Sequence, residues 1–340
     1  MSRWLVERGI GETRAALIED DRLIAARIWR DSLLPHAGQI LDATLETANP
    51  PQARLSDGSI IALAKEAKGI SEGGNLRVRV RRGPIVERSG LHDRIKPARA
   101  APAKSDAVLI GEDWLALLGD SQHPAELVSL APPPAPDPLA ECGWNDLMAE
   151  AMSGVIAFPD GELLITPTPA MTVIDVDGSG PTPSLVCNAA KAIALALHRL
   201  DIGGVIAIDF PTLERREERH RAADAFDAAM IGPFERTAIN GFGLMQVVRK
   251  RLGPSLVELS QLRPLETAIL QLLRQAERWE QPGDIVLVVD QAGADMLNTN
   301  SGWLEQLSKR TGRAVTMQPD ARSREDYHIA SVASGLSQQA

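Results

Sequence analysis

Thr172-Val-Ile-Asp-Val-Asp177 and Val205-Ile-Ala-Ile-Asp-Phe210 are the two stretches on which the reading of this chain turns. Each is a short apolar run rich in β-branched residues and bounded by turn formers, the pattern of a buried strand. Between them, Asn188 to Leu200 places Ala192, Ile193, Ala196, Leu197 and Leu200 on one helical face, and Asp201-Ile-Gly203-Gly204 ends that helix. Strand, helix and strand of these lengths form a βαβ unit, whose crossover makes the two strands parallel neighbours. Their carboxyl ends then lie side by side, at the edge where sheets of this kind collect ligands.

That edge carries acids. Asp175 and Asp177 alternate with Ile174 and Val176 and so share one face, and Asp209 ends the second strand, so three carboxylates are expected to converge. Like charges rooted in apolar runs are costly unless a proton or a cation neutralises them. A hard divalent cation fits, Mg²⁺ or Mn²⁺, because Mg²⁺ takes one or two protein carboxylates and keeps sites for water and phosphate oxygens. The plainer alternative is that these aspartates pair with basic residues or cap helices. Asp175 to Gly180 also matches the start of a calcium loop, but Val186 stands where the bidentate Glu belongs. The same Ile-Asp-Val-Asp-Gly-Ser resembles the first motif of haloacid-dehalogenase phosphatases, with Asp175 as nucleophile and Asp177 as acid/base. That reading needs a downstream lysine, and none occurs between Lys191 and Lys250.

Downstream, the patterns predict a charged helix from Leu213 to about Met230, a short strand near Arg236 and a basic helix over Gly243–Arg251. A helix from Glu266 to Trp279, a strand Ile285–Val289, a helix Trp303–Arg310 and a strand Ala314–Met317 predict a small terminal α/β module, with a frayed tail after Ser331. Upstream, Glu12–Trp29 reads as a hairpin around Asp20-Asp21, and the short strand-like pieces from Gly38 to about Ile95 as a small barrel. Asp106 to Leu130 has room for a strand and a short helix. Ala131–Pro138, with five prolines in eight residues, reads as a stiff linker or long loop.

Composition sets the class. A chain of 340 residues that is 44% hydrophobic and 24% charged builds real cores and has length for two to three domains, which excludes general disorder. Its two cysteines, Cys142 and Cys187, exclude an intrachain disulfide framework or a thiolate zinc site. No leader-like start and no 18-residue apolar run occur, so a soluble, cytoplasmic protein is expected. The six histidines form no triad-like pattern, and Ser179 lies in no G-x-S-x-G context. The net charge of −9 hides a basic stretch, for Arg77 to Lys104 holds nine Lys and Arg against two acids. Arg77, Arg79 and Arg81 alternate onto one strand face beside Arg82, the footprint of a polyanion site or simply a solvated face. Arg249-Lys250-Arg251 is a second cluster, which reads equally as a helix end complementing its dipole. No aromatic occurs from Gly38 to Ile95, so base stacking is not expected on the barrel.

Three motifs in order, Ala170-Met-Thr-Val-Ile-Asp-Val-Asp-Gly-Ser179, Asp201-Ile-Gly-Gly-Val-Ile-Ala-Ile-Asp-Phe210 and Phe242-Gly-Leu-Met-Gln-Val-Val-Arg-Lys-Arg-Leu252, resemble those of the ribonuclease E/G family. Phe158–Thr166, Asp295–Asn300, the opening hairpin and Glu72-Gly-Gly-Asn-Leu-Arg-Val-Arg-Val80 are similar too. The resemblance implies a mixed α+β and α/β multi-domain fold with a split N-terminal domain, an inserted small β-barrel of the OB type, an α/β metal-dependent nuclease domain and a small C-terminal α/β module. On this chain these fall at 1–35 for the first part of the split domain, 36–97 for a divergent RNA-binding barrel and 98–139 for a sensor remnant with the linker. The nuclease domain falls at 140–260 and the terminal module at 261–332. The resemblance further implies an endoribonuclease of RNA processing or decay that cleaves single-stranded RNA. Asp175 and Asp209 would hold Mg²⁺, metal-activated water would attack in line, and a 5′-phosphate and 3′-hydroxyl would remain. Arg77, Arg79, Arg81, Arg82, Arg249, Lys250 and Arg251 are the expected RNA contacts.

Departures from the family accompany the match. Asp177 stands where the family has Asn, adding a charge that would tighten a cation or repel the RNA, so Asp177 is expected as a third ligand or outer acid/base group. The span from Pro97 to Gly154 is short for a 5′-end sensor, so preference for a 5′-monophosphate is expected to be weak or absent. Without the cysteine pair after Leu259, a zinc-bridged tetramer is not expected, and monomer and dimer stay open. A catalytically lapsed RNA-binding relative and the phosphatase are the standing alternatives.

Overall fold

The computed structural model describes residues 2–89, 92–111, 113, 117–118, 123–128, 135–320 and 327–332. The chain opens with an antiparallel meander, β1 (Arg3–Arg8), β2 (Glu12–Glu19) and β3 (Arg22–Arg30). Asp20 and Asp21, at φ 48° and 60°, make the two-residue turn expected of a tight hairpin. Next come β4 (Ile40–Ala48), β5 (Pro51–Leu55), β6 (Ile60–Leu63) and β7 (Asn75–Arg82), then a hairpin of β8 (Ile85–Ser89) and β9 (His92–Lys96), then β10 (Arg99–Pro102). Five of these close a barrel in the order β10-β6-β5-β4-β7, around Leu45, Ala53, Ile61, Val78, Val80 and Ala100. A closed five-stranded barrel is consistent with the OB type. Its last strand lies just past the expected limit at residue 97, because β10 pairs with both β6 and β7 and only so removes their free edges.

β11 (Ala125–Val128) then returns to lie parallel beside β1, so the barrel is an insertion within the first sheet. This is the strand expected within Asp106–Leu130; most of that interval, the helix expected there and residues 131–134 of the proline stretch fall outside the described residues.

Two short helices, α1 (Pro138–Glu141) and α2 (Trp144–Ser153), lead into β12 (Val155–Phe158), β13 (Gly161–Pro167), β14 (Thr172–Gly178), α3 (Thr182–Arg199), β15 (Gly204–Asp209), α4 (Arg216–Ala229), β16 (Phe234–Arg236), β17 (Leu244–Arg249) and α5 (Leu256–Leu262). The six strands form one sheet in the order β12-β13-β14-β15-β17-β16, and β14 and β15 are its one parallel pair, as the crossover through α3 requires. Ile165, Ile174, Val176, Ile206, Ile208, Met245 and Val247 bury one face in a core with Val186, Ile193 and Leu197 of α3 and Phe226 of α4; Ala26 and Ile28 of β3 join the same core. The N-terminal sheet and this domain therefore fold as one packed body.

The basic helix expected over Gly243–Arg251 is instead the strand β17. Met245 and Val247 are buried while Leu244, Gln246 and Val248 are exposed, a period of two. Pairing on both sides, with β15 and β16, overrides the helical reading of those apolar positions.

The last module contains α6 (Pro264–Glu277), β18 (Asp284–Val289), α7 (Gln291–Thr299), α8 (Gly302–Thr311), β19 (Val315–Pro319) and β20 (His328–Val332), with sheet order β19-β18-β20. Ser331 and Val332 belong to β20, so the chain is still paired where fraying was expected to begin; residues 333–340 lie outside the described ones. A buried ion network ties this module to the first sheet. Arg14 bonds Glu7 at 2.7 Å and Glu12 at 2.8 Å, and Arg30 bonds Glu12 at 3.2 Å and Glu266 at 3.0 Å. Arg274 bonds Glu7 at 3.0 Å and Asp137 at 2.7 Å. Among the described residues no helix is long and apolar enough to cross a membrane.

Candidate metal centre and basic surfaces

Asp175 and Asp209 are direct Cα partners across the parallel pair of β14 and β15. They occupy one row of the open sheet face, Val155, Leu164, Asp175, Asp209 and Leu244, running over five strands. Leu164 and Leu244 flank the two acids and are themselves exposed. The buried alternate residues Ile174, Val176, Ile206 and Ile208 fix both strands from below, so the carboxylates project from a rigid base. Asp175 Oδ1 accepts the N–H of Val176 at 3.0 Å. Among the described residues no Lys or Arg forms an ion pair with Asp175, Asp177 or Asp209, and none of those residues neutralises them.

The convergence of three carboxylates is not seen. Among the described residues no group of three or more His, Cys, Asp or Glu side chains is placed to hold one ion. The reason is geometric, since Asp177 lies two residues further along β14, a step of about 7 Å. It pairs in register with Glu162 of β13 and accepts the N–H of Gly178 at 2.7 Å. Glu162 is the residue that sequence reasoning missed. The alternation in Gly161-Glu-Leu-Leu-Ile165 puts it outward, but only the hairpin register puts it opposite Asp177.

The donor set at Asp175 and Asp209 is all oxygen, exposed and uncompensated. That suits a hard cation with two protein ligands, the remaining positions going to water and phosphate oxygens.

The basic residues divide into free and committed ones. On β7, Leu76, Val78 and Val80 point into the barrel and Arg77, Arg79 and Arg81 point out. Arg77 is held by Asp42 at 2.9 Å and by the carbonyl of Ala107 at 2.6 Å. Arg79 and Arg81 make no side-chain bond to a described residue. Arg82, half-buried, donates to the carbonyl of Pro97 at 2.6 Å; burial, with Arg99 and Arg251 nearby, lowers its pKa.

Arg249 is a structural staple. It donates to the carbonyls of Leu197 at 2.6 Å, Ile202 at 3.0 Å and Ile231 at 3.3 Å, joining the end of α3 to β17. Burial, with Arg27 and Arg249 beside it, pushes His198 down to about 4, so this histidine is neutral near pH 7. Arg251 pairs with Glu258, whose carboxylate also closes the capping box of α5 with Ser255, and Lys250 is exposed. Because β17 runs antiparallel to β15, with Gly204 opposite Arg249 and Asp209 opposite Leu244, this cluster lies five residues, about 17 Å, from the carboxylates.

The sequence profile of the Ribonuclease E/G family matches residues 128–252. Curated relatives include ribonuclease E of Nostoc sp., 33% identical over 128 residues that make up 34% of this chain and 19% of that protein. Ribonuclease E of Haemophilus influenzae is 29% identical over 190 residues, 47% of this chain and 20% of that protein. Ribonuclease G of Escherichia coli is 32% identical over 108 residues, 28% of this chain and 22% of that protein. The matched part thus spans about a fifth of the length of these relatives. Residues 128–252, the segment that holds both aspartates, are thus similar in sequence to the ribonuclease E/G family.

Proposed function

We propose that the protein is a divalent-metal-dependent endoribonuclease acting on single-stranded RNA, with Asp175 and Asp209 as ligands of Mg²⁺ or Mn²⁺. One observation carries the reading: two exposed, unneutralised carboxylates stand in register at the carboxyl ends of adjacent parallel strands, inside the family segment. A bound divalent cation would supply Lewis-acid polarisation of a phosphate oxygen and of attacking water. The chain's own part is to fix the two carboxylates without reorganisation, since their strands are anchored by buried neighbours. Asp177, facing outward on the same side, is the nearest further acid for accepting or returning a proton. Arg79 and Arg81, free on the barrel, supply sequence-independent attraction for the backbone.

RNA binding without cleavage is the second reading, and one observation favours it. Asp177 and Glu162 add two like charges beside the centre, which would weaken the approach of a phosphate. Cleavage of labelled single-stranded RNA with and without Mg²⁺, in the wild type, Asp175→Asn and Asp209→Asn, separates the two. Metal-dependent cutting lost in both variants, with 5′-phosphate products, supports the nuclease. Wild-type binding in a gel shift without cutting supports the lapsed form.

A further inference from the structure

Phe242 is 85% exposed, far more than an aromatic ring of its size would be if it served only packing. Its backbone is nonetheless held tightly. The side-chain oxygen of Asn240 accepts the N–H of Phe242 at 2.9 Å and that of Leu244 at 3.1 Å, and Gly243 donates to the carbonyl of Asn240 at 3.2 Å. Gly243 has φ +93°, and a Cβ there would lie 2.0 Å from the carbonyl oxygen of Phe210. The N–H of Phe210 in turn donates to Gly243 at 3.1 Å. Phe210 follows Asp209 directly, and Leu244 is the register partner of Asp209. A rigid turn therefore presents an exposed aromatic side chain at the edge of the sheet that carries the two aspartates.

The surroundings select the kind of partner. The loop leaving Asp209 carries Arg215, exposed and without an ion pair among the described residues. Exposed Leu164 and Leu244 share this face, but an exposed flat ring beside a free cation and two open carboxylates suits a nucleobase with its attached phosphate better than the charge-depleted core of a protein interface. The barrel offers no alternative platform, since no aromatic occurs from Gly38 to Ile95.

We infer that Phe242 is the base-stacking platform of the cleavage centre, taking the face of a nucleobase next to the phosphate bound at Asp175 and Asp209. This rests on the endoribonuclease reading. Stacking on one aromatic side chain accounts for about ten- to hundredfold in single-strand affinity.

The test uses the full chain and a short 2′-O-methyl RNA, which resists cleavage, with 2-aminopurine placed at successive positions. Wild type, Phe242→Ala, Phe242→Leu and Phe242→Trp are compared for affinity and for quenching of the probe, and for kcat and KM on ordinary RNA. Quenching at one position in the wild type, kept in the Trp variant and lost in the Ala and Leu variants with about tenfold or greater loss of affinity, supports the platform. Equal quenching and affinity in wild type and Phe242→Ala overturns it. Phe242-dependent quenching without cutting by the wild type keeps the platform and removes the nuclease. No binding by the wild type overturns both the platform and the nuclease reading.

Discussion

Replacing Asp175 or Asp209 by Asn should move stability and metal response in opposite directions. Neighbouring strands are about 4.8 Å apart, so two carboxylates sharing a row, as these do, lie about 5 Å from each other. Both are exposed, so the dielectric is close to that of water and their repulsion is about 0.8 kcal/mol, less as salt rises. Removing one charge stabilises the metal-free protein by up to that amount, or about 2–3 °C in the melting temperature of a domain of this size. In Mg²⁺ the order reverses. The wild type gains about 1.4 kcal/mol at ten times its Kd, and a variant with one carboxylate gains little in the same buffer. Thermal unfolding of the three proteins in EDTA and across a Mg²⁺ titration should therefore give crossing curves. A variant less stable than the wild type in EDTA, or an equal Mg²⁺ response in all three, would refute the reasoning that these two side chains form one cation site.

Three other outcomes are expected. Arg30→Met removes a guanidinium that is 1% exposed and bonded to Glu12, Glu266 and Thr267, leaving buried acceptors unpaired; urea denaturation should show a loss of about 3–5 kcal/mol, against under 1 for Arg3→Met on the surface. Burial pushes His36 down to about 4, so the folded state binds its proton less readily than the unfolded chain, and stability present above pH 6.5 is withdrawn as pH falls towards 4. That withdrawal is on the order of 3 kcal/mol, and His36→Gln should flatten the curve of melting temperature against pH in this window. Arg79→Ala with Arg81→Ala should lower the slope of log affinity for single-stranded RNA against log salt by about 1.4, whereas Arg77→Ala, already neutralised by Asp42, should change it by less than half of one contact.

What could be read from the sequence follows a physical divide. β14, β15 and α3 were legible because each carries a local signal: β-branched apolar runs for the strands and a repeated apolar face for the helix. The start of α3 at Thr182 also had a local signal, Pro181 at the N-cap and Pro183 in the first turn, which are easily taken as breakers. By contrast, β17 was not legible. Leu244, Met245, Val247 and Val248 satisfy helical and strand spacing alike, and only insertion between β15 and β16 decides between them. Arg14 and Arg30 look like outward charges on strands, yet they are buried because α6 packs over that face, bringing Glu266 and Thr267 to Arg30 and the carbonyl of Leu270 to Arg14.

The same divide separates the site's acids from its bases. That Asp175 and Asp209 share an edge follows from one crossover, a local topological rule, and the register bears it out. Which arginines are free depends on partners far away in sequence. Arg77 meets Asp42 across a barrel seam, and Arg249 meets the carbonyls of Leu197 and Ile202 at the far end of β15. A count of positive charge therefore overstates the polyanion surface. On the nuclease reading, the grip on RNA falls to Arg79 and Arg81 on the barrel. At the carboxylate end it falls to Arg215 and the ring of Phe242, whose side chains have no bonding partner among the described residues.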